Sequence, residues 1–156
     1  MMTKQDDFLN LTAFSSERSA DALLACNSVS AKYGLSLNRE DTVMLVIRRN
    51  DALKESGRVE FGESIFRSLI EAFCDSPYLS QKNYAETLAQ LTEAFYYLKN
   101  ATDDLLTDDE LIQSMKKLFD GFCGGEVQAV LDLDAETLIA MNNREPKYFE
   151  EAAEEK

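Results

Sequence analysis

Apolar residues recur at every third or fourth position along most of this chain, and this spacing constrains its fold more than any other feature. The clearest example advances by four, three, four and three residues: Tyr84, Leu88, Leu91, Phe95 and Leu98. Such steps place all five side chains on one face of an α-helix, whereas a half-buried strand requires strict alternation. No segment alternates in this way, and the chain contains only 2 Pro and 6 Gly. We therefore predict an all-α protein.

Capping residues and glycines divide the pattern into separate helices. Thr107 and Glu110 have the spacing of a capping box, in which each side chain binds the backbone N–H of the other residue. Gly57 stands where a left-handed residue commonly ends a helix. The predicted helices cover 16–33, 38–56, 65–73, 80–99 and 107 to the glycines at 121–125, and shorter pieces follow. These elements predict a single compact bundle of five to seven helices, in which Phe119 and Phe122 both face the core.

The chain is expected to form one domain, since 156 residues fit the usual domain size and no internal stretch is rich in Gly, Pro or Ser. We expect 1–15 to be a flexible N-terminal segment, 16–144 to be the helical domain and 145–156 to be an acidic tail. The first residues lack the basic and apolar regions of a signal peptide, and no stretch reaches the ~18 apolar residues of a membrane-spanning helix. We therefore expect a cytoplasmic protein without a membrane contact.

Charge and missing residue types exclude several classes of function. The chain has 16 Lys and Arg against 29 Asp and Glu, a formal charge of −13. This charge disfavours phosphate backbones and anionic lipids, so direct binding of nucleic acid is not expected. The chain has no His, which excludes Ser-His-Asp and Cys-His hydrolases and His-ligated zinc sites. Since no complete catalytic set remains, we expect no cofactor and no metal, and an enzyme is the less favoured class.

Two acidic motifs resemble metal sites but lack the necessary ligands. If a calcium-binding loop began at Asp120, Phe122 and Gly124 would stand at its third and fifth positions, where oxygen ligands are required. Glu60 and Glu63 match the first half of the E-x-x-E…E-x-x-D magnesium motif of all-α nucleotide pyrophosphohydrolases, but no second half follows. Neither motif predicts a metal site.

The cysteines, at positions 26, 74 and 123, form no C-x-x-C pair. Free, buried thiols in a reducing compartment are the simplest interpretation. Cys123 is the candidate reactive thiol, because backbone N–H groups of the following Gly124 and Gly125 would lower its pKa.

Asn50 falls where the apolar stripe of the second helix predicts a buried residue. Because a buried Asn requires hydrogen bonds, it would either fix the helix register or belong to a polar pocket for a small anionic molecule, with Arg48 and Tyr84. The first interpretation, with the arginines at the surface, is favoured. Polar residues of two nearby loops complete the set of ligand-binding candidates: Arg48, Asn50, Arg58, Glu60, Asp75, Tyr78 and Tyr84.

Three blocks of the chain are distinctive: ALKESGRVEFG at 52–62, AFCDSPYLSQ at 72–81 and FDGFCGG at 119–125. They resemble blocks of a family of uncharacterised bacterial proteins, and the similarity spans about residues 17–140. The family has no assigned activity. The resemblance therefore implies a bacterial, cytosolic protein and assigns no functional residue.

Taken together, these features favour a non-catalytic binding or adaptor protein whose acidic C-terminal half contacts a protein partner. Residues 81–156 carry 7 basic and 17 acidic side chains, net −10, against 9 and 12, net −3, for residues 1–80. Electrostatic complementarity then favours a basic partner surface. Leftover apolar surface would also support a homodimer. The alternatives are a small-molecule binder or enzyme with the polar pocket around Arg48 and Asn50 and, less favoured, a nucleic-acid mimic.

Overall fold

The computed structural model describes residues 17–60 and 62–142, and within these ranges the regular secondary structure is entirely helical. The first helix, α1, covers residues 17–33; a turn at Cys26 precedes its segment Asn27–Ser30, and the 3₁₀ turn Ala31–Tyr33 ends it. The other helices are α2 (Arg39–Ser56), α3 (Ser64–Phe73), α4 (Tyr84–Ala101), α5 (Asp108–Asp120), α6 (Val127–Leu131) and α7 (135–142). The predicted all-α bundle is confirmed. The predicted cap at residue 16, the segment 1–15 and the tail 145–156 lie outside the described residues.

Two capping boxes hold the N-termini of α2 and α5. The Asn38 side chain accepts from the Asp41 backbone N–H at 2.8 Å, and the Asp41 carboxylate accepts from Asn38 N–H at 3.0 Å. Thr107 and Glu110 bind each other in the same reciprocal way, at 3.1 and 2.9 Å. The helix starts predicted at these two positions are therefore confirmed. Each box satisfies two backbone donors that a helix terminus leaves open.

The predicted start of α4 at Ser80 is wrong by four residues. Ser80 and the next three residues form a turn, in which the Ser80 N–H donates to the Asn83 side chain at 2.9 Å. A Ser followed three residues later by Asn satisfies its local hydrogen bonds without a helix, so the helix begins only at Tyr84.

Helix α4 lies at the centre of the bundle and packs against α2, α3, α5 and α6. The side chains of its predicted stripe are all buried: Tyr84, Leu88, Leu91, Phe95 and Leu98. Each removes apolar surface from water, which is the main force that stabilises such a core. The central position of α4 means that its outer edges help to line every concave site described below.

The buried face of α2 differs from the predicted one. Two residues of the predicted stripe, Val46 and Leu53, are buried. The other three, Val43, Ile47 and Asn50, face solvent, and Ile47 is 54% exposed. The core face of α2 instead consists of Thr42, Leu45, Val46, Arg49, Ala52 and Leu53. The true face lies about one residue earlier, a rotation of roughly 100° about the helix axis. Arg49 therefore occupies the buried position that the sequence suggested for Asn50.

Phe122 does not face the core as predicted, because α5 ends at Asp120. Gly121 has φ −105° and ψ −105°, which turns the chain away from the helical path. Phe119 is consequently fully buried, whereas Phe122 is 87% exposed. In the turn that follows, Cys123 enters the core in place of Phe122.

In the part of the chain that the structure describes, none of the helices has the combined length and apolar character that crossing a bilayer requires.

Candidate functional site

A groove with a volume of about 650 Å³ lies between α2 and α4. We call it the acidic groove; its described lining consists of Arg48, Asp51, Ala52, Glu55, Ser56, Glu93, Tyr97, Asn100 and Ala101. Three of these side chains are carboxylates and one is a cation, so the lining is net negative. Tyr97, on the outer face of α4, is 59% exposed.

The cation in the acidic groove, Arg48, is held by two glutamates of α4. Its Nη1 donates to Glu86 at 2.6 Å, and its Nη2 and Nε donate to Glu93 at 2.5 and 3.3 Å. The hydrogen bonds that these carboxylates accept raise the pKa of Arg48, mainly through Glu93. Because Arg48 already binds two carboxylates, the described lining of the groove offers no free cation to an anionic ligand. The exposed carboxylates of Asp51 and Glu55 remain available at its edge.

An apolar patch adjoins the acidic groove on the outer face of α2. It consists of Val43, Met44 and Ile47, and we call it the apolar strip. Arg48 borders both the strip and the groove, so the two surfaces are continuous. Together they form an amphipathic surface, apolar toward the N-terminus of α2 and acidic toward its C-terminus.

The core face of α2 carries a buried cation, Arg49, which is 7% exposed. Its Nη1 donates to the Gly62 carbonyl at 3.0 Å, its Nη2 to Ser19 Oγ at 3.4 Å and its Nε to Asn50 Oδ1 at 3.3 Å. Its guanidinium lies 4.9 Å from the centre of the Phe66 ring. These contacts join α1, α2 and the connector before α3. Burial lowers the pKa of Arg49, and the charges of nearby carboxylates counteract this effect.

Two glutamates balance the buried charge of Arg49. Ser19 Oγ donates to Glu63 at 2.6 Å and so links this carboxylate to the guanidinium. Glu60 Oε2 accepts a short hydrogen bond from the Tyr96 hydroxyl. The second oxygen of Glu60, Oε1, is buried and has no hydrogen-bond partner among the described residues. Burial raises the pKa of Glu60, and the charge of Arg49 only partly counteracts this shift.

Glu60 lines a pocket of about 290 Å³ where the end of α2, the following connector and the starts of α3 and α5 meet α4. We call it the Glu60 pocket; its described lining consists of Leu53, Arg58, Val59, Glu60, Ser64, Ile65, Phe95, Tyr96, Lys99 and Asp108. Half of the described lining is aliphatic or aromatic, and the polar groups come from four segments of the chain: the connector after α2, α3, α4 and α5.

Each cation of the Glu60 pocket pairs with its own aspartate. Lys99 Nζ lies 2.8 Å from Asp108 Oδ1. Arg58 Nη2 lies 2.8 Å from both carboxylate oxygens of Asp104. Neither cation of the described lining therefore forms an ion pair with Glu60.

The structure brings some of the predicted ligand-binding residues together and separates others. Arg58 and Glu60 both line the Glu60 pocket, whereas Arg48 lines the acidic groove. Asn50 is exposed and its side chain binds Arg49, so it does not join Arg48 in a pocket. The less favoured interpretation, a pocket shared by Arg48 and Asn50, is therefore wrong. The favoured one, a buried Asn50 with the arginines at the surface, is wrong too, because Asn50 is exposed and Arg49 is buried.

The remaining candidates lie toward the other end of the bundle. Tyr84 is fully buried, its hydroxyl has no hydrogen-bond partner of ordinary geometry among the described residues, and burial raises its pKa to about 12. Asp75 forms an ion pair with Lys116. The Tyr78 ring stands edge-on to Phe119, with 6.1 Å between the ring centres. These contacts give the three residues structural roles.

Cys123 is buried, as are the other two cysteines, and all three are free thiols. Burial raises the pKa of Cys123. A reactive cysteine needs a stabilised thiolate, and this environment favours the neutral thiol. In the ranges 17–60 and 62–142, no group of three or more Cys, Asp or Glu side chains is arranged to hold a metal ion.

The raised pKa of Glu60 predicts how stability depends on pH. In the folded protein, Glu60 stays protonated at pH values above the ordinary glutamate pKa of 4.5. The contribution of the neutral carboxyl group to the free energy of unfolding is therefore complete below pH 4.5, and it is lost as the pH rises through the folded pKa. Relative to Glu60→Gln, which stays neutral, the wild type should become progressively less stable as the pH rises above about 4.5. Urea midpoints at and above this pH, with the exposed Glu136→Gln as control, measure the difference. A difference that does not vary with pH would contradict the assignment.

Comparison with known proteins identifies the chain by family alone. No curated protein and no solved structure matches it. Residues 22–147 match the model of a family of unknown function, DUF6323, and include all three blocks on which the resemblance depended. The chain therefore belongs to this family of unknown function.

Proposed function

We propose that this protein is a non-catalytic, cytoplasmic binding or adaptor protein, and that its acidic groove with the adjoining apolar strip takes up a basic, amphipathic segment of a protein partner. One observation carries this proposal: the carboxylates of Asp51 and Glu55, which have no partner among the described residues, and the exposed ring of Tyr97 line one groove, beside an exposed apolar strip on α2.

The chemistry of this surface favours a cationic partner. Lys or Arg side chains in the groove would meet Asp51 and Glu55, and an Arg guanidinium would stack on the Tyr97 ring. Apolar side chains of the same segment would cover Val43 and Ile47, which water otherwise surrounds. A helix with one apolar and one basic face presents both kinds of group together. Binding should weaken as salt rises, because exposed charges are screened over ~10 Å at 0.1 M salt.

A nucleic-acid mimic has less support. Such a protein presents a regular array of unpaired carboxylates. The acids proposed for this array are Glu86, Glu93, Asp103, Asp104, Asp108 and Asp109, and four of them pair with cations of the protein itself. Glu93 binds Arg48, and Asp104 binds Arg58. Their charges are thus already neutralised within the fold.

Reversing two charges of the acidic groove should weaken the binding of a basic segment. The probe is a fluorescein-labelled model peptide of Leu and Lys in helical register, measured by fluorescence anisotropy at low salt. Asp51→Lys with Glu55→Lys should reduce its affinity by about tenfold or more, because two attractive pairs become repulsive. Asp132→Lys with Glu136→Lys is the matched control: it changes net charge equally, at exposed positions outside the groove. Equal losses in both double variants would contradict a groove-specific site.

The natural partner is accessible through photo-crosslinking in cells. Benzoylphenylalanine replaces Tyr97 in one variant and the highly exposed Phe122 in another. The proposal expects an adduct from position 97 whose cross-linked segment is rich in Lys or Arg, and none of that adduct from position 122. An acidic cross-linked segment, or the same adduct from both positions, would refute it.

A further inference from the structure

Arg48 lies between the two surfaces that a partner segment would cover. Its side chain borders the apolar strip on one side and the acidic groove on the other. A segment that places apolar side chains on the strip and basic ones in the groove therefore passes directly over this arginine. The contacts of Arg48 in the free protein thus bear on how tightly such a segment binds.

The guanidinium of Arg48 uses all three of its nitrogens in one site on α4. Nη1 donates to Glu86, and Nη2 and Nε both donate to Glu93. The two glutamates are seven positions apart, which is about two turns of a helix, so they flank the guanidinium from the same face. A planar fork of donors can contact both carboxylates at once, whereas an ammonium acts as a compact point charge. The site therefore suits a guanidinium better than an ammonium.

This pairing is open to water, in contrast to that of the next residue. The Arg48 side chain is 28% exposed, and the side chains of Glu86 and Glu93 are 58% and 41% exposed. Arg49 is only 7% exposed. Exposed ion pairs contribute little net free energy, because water screens them and two long side chains lose freedom. A second cation can therefore displace Arg48 at small cost, and Asp51, three residues further along α2, offers the released guanidinium another carboxylate.

We infer, on the basis of the proposed function, that Arg48 is an intramolecular competitor for an arginine of the partner. In the free protein Arg48 occupies the site formed by Glu86 and Glu93. In the complex the partner's arginine takes this site, and Arg48 turns toward Asp51. A guanidinium is selected over an ammonium, since it alone reproduces the contacts that Arg48 gives up. Arg48 thus limits the affinity of the amphipathic surface.

Two labelled peptides test the preference for arginine by fluorescence anisotropy at low salt: the Leu and Lys peptide and a copy with Arg at every Lys position. The wild type should bind the Arg peptide at least about fivefold more tightly. Glu86→Gln with Glu93→Gln should abolish this preference, because neutral amides do not pair with a guanidinium. Equal affinities of the wild type for both peptides, or a preference that persists in the double variant, would overturn the inference.

Variants of Arg48 separate the effect of pairing from that of charge. Arg48→Gln should raise the affinity for the Arg peptide about tenfold, because both glutamates are released. Arg48→Lys leaves the net charge unchanged but holds the carboxylates less well, so it should raise the affinity at least about threefold. If Arg48→Lys binds like the wild type, or Arg48→Gln binds more weakly, Arg48 does not compete with the partner and the inference is wrong.

Lys116→Gln is the matched control for the loss of one charge. Lys116 also contacts two carboxylates, those of Asp75 and Asp120, but it lies toward the other end of the bundle and lines neither surface. Its substitution should change the affinity for the Arg peptide by less than about twofold, because charges beyond ~10 Å are screened. A gain equal to that of Arg48→Gln would show a general effect of net charge and would refute the competition.

Nuclear magnetic resonance observes the displacement directly. In ¹⁵N-labelled protein, the Nε–H signal of Arg48 is the one that Arg48→Lys removes, and it reports the contact with Glu93. Saturation with the Arg peptide should move this signal toward the position of free arginine. The Nε–H signal of Arg49, which lies on the buried face and binds Asn50, should stay in place. An Arg48 signal that does not move at saturation would contradict the inference.

The results distinguish failure of this inference from failure of the proposed function. Loss of peptide binding in Asp51→Lys with Glu55→Lys, together with unchanged affinity in Arg48→Lys, would keep the acidic groove as the binding surface and refute only the role of Arg48. Equal losses in the groove variant and in Asp132→Lys with Glu136→Lys would refute the groove, and this inference with it.

Discussion

Replacing Arg49 by Ala is expected to lower the free energy of unfolding by about 3–5 kcal/mol at pH 7, since removing one member of a buried charge group leaves the other charges uncompensated. Glu60 and Glu63 would lose the cation that balances them, and Ser19 and the Gly62 carbonyl would lose a donor. The ring of Phe66 would also lose the guanidinium packed against it. Urea unfolding followed by circular dichroism measures the change.

Asn50→Ala is the comparison variant, because Asn50 is the neighbouring polar residue and is exposed. It removes only one long hydrogen bond of Arg49, the 3.3 Å contact from Nε to Asn50 Oδ1. Its substitution should change stability by no more than about 0.5 kcal/mol. Arg49→Lys should lower the free energy of unfolding by less than Arg49→Ala, because lysine keeps the charge. It should still be less stable than the wild type, because lysine lacks the planar guanidinium that reaches several acceptors. If Asn50→Ala destabilised the protein as much as Arg49→Ala, the face assigned to α2 would be wrong.

Sequence reasoning succeeded where the cause of a structural feature is local. The helix starts at Asn38 and Thr107 depend on a side chain three residues away, and both capping boxes form. The buried stripe of α4 follows from a spacing that no charged residue interrupts. Local hydrogen bonds and periodicity can be seen in the sequence itself, so these features could be predicted.

The face of α2 could not be chosen from apolar residues alone. Val43 to Ile47 are apolar all round the helix, so hydrophobicity indicates no single inner face. The decisive residue is the most polar one, because Arg49 is buried only where Ser19, Gly62 and the carboxylates meet it. The steps of three and four residues that connect Leu45 and Val46 to Ala52 and Leu53 do pass through position 49. That spacing was the available signal for a buried position 49. An arginine is rarely buried without partners, however, and the partners of Arg49 could not be identified from the sequence.

The Glu60 pocket could not be assembled from the sequence for a similar reason. Its polar contacts join residues far apart in the chain: Glu60 to Tyr96 across 36 positions, and Arg58 to Asp104 across 46. Arg58 and Glu60 were identified as candidates because they share a polar loop. Tyr96 and Lys99 belong to a helix whose apolar spacing gives no indication that they line a pocket. Only the packing of α4 against the other helices shows that these side chains line one cavity.

Phe119→Ala should lower the free energy of unfolding far more than Phe122→Ala, although the two residues are three positions apart. Phe119 is fully buried, and its ring meets Phe73 edge-on with 5.3 Å between ring centres and Tyr78 with 6.1 Å. Its truncation should cost about 3–5 kcal/mol, the sum of lost apolar transfer and the cavity left behind. Phe122, at 87% exposure, should change stability by no more than about 0.5 kcal/mol.

The same pair of variants tests why α5 ends where it does. If the helix continued past Asp120, Phe122 would lie on the inner face three residues after Phe119, and both substitutions would be costly. Gly121 diverts the chain instead, and the Gly125 N–H returns to the Phe119 carbonyl at 2.7 Å. Urea midpoints for the two variants thus distinguish a helix stopped by its glycines from one that extends to the predicted end. Similar losses for both would mean that the turn does not hold in solution, and that Phe122 and not Cys123 completes this side of the core.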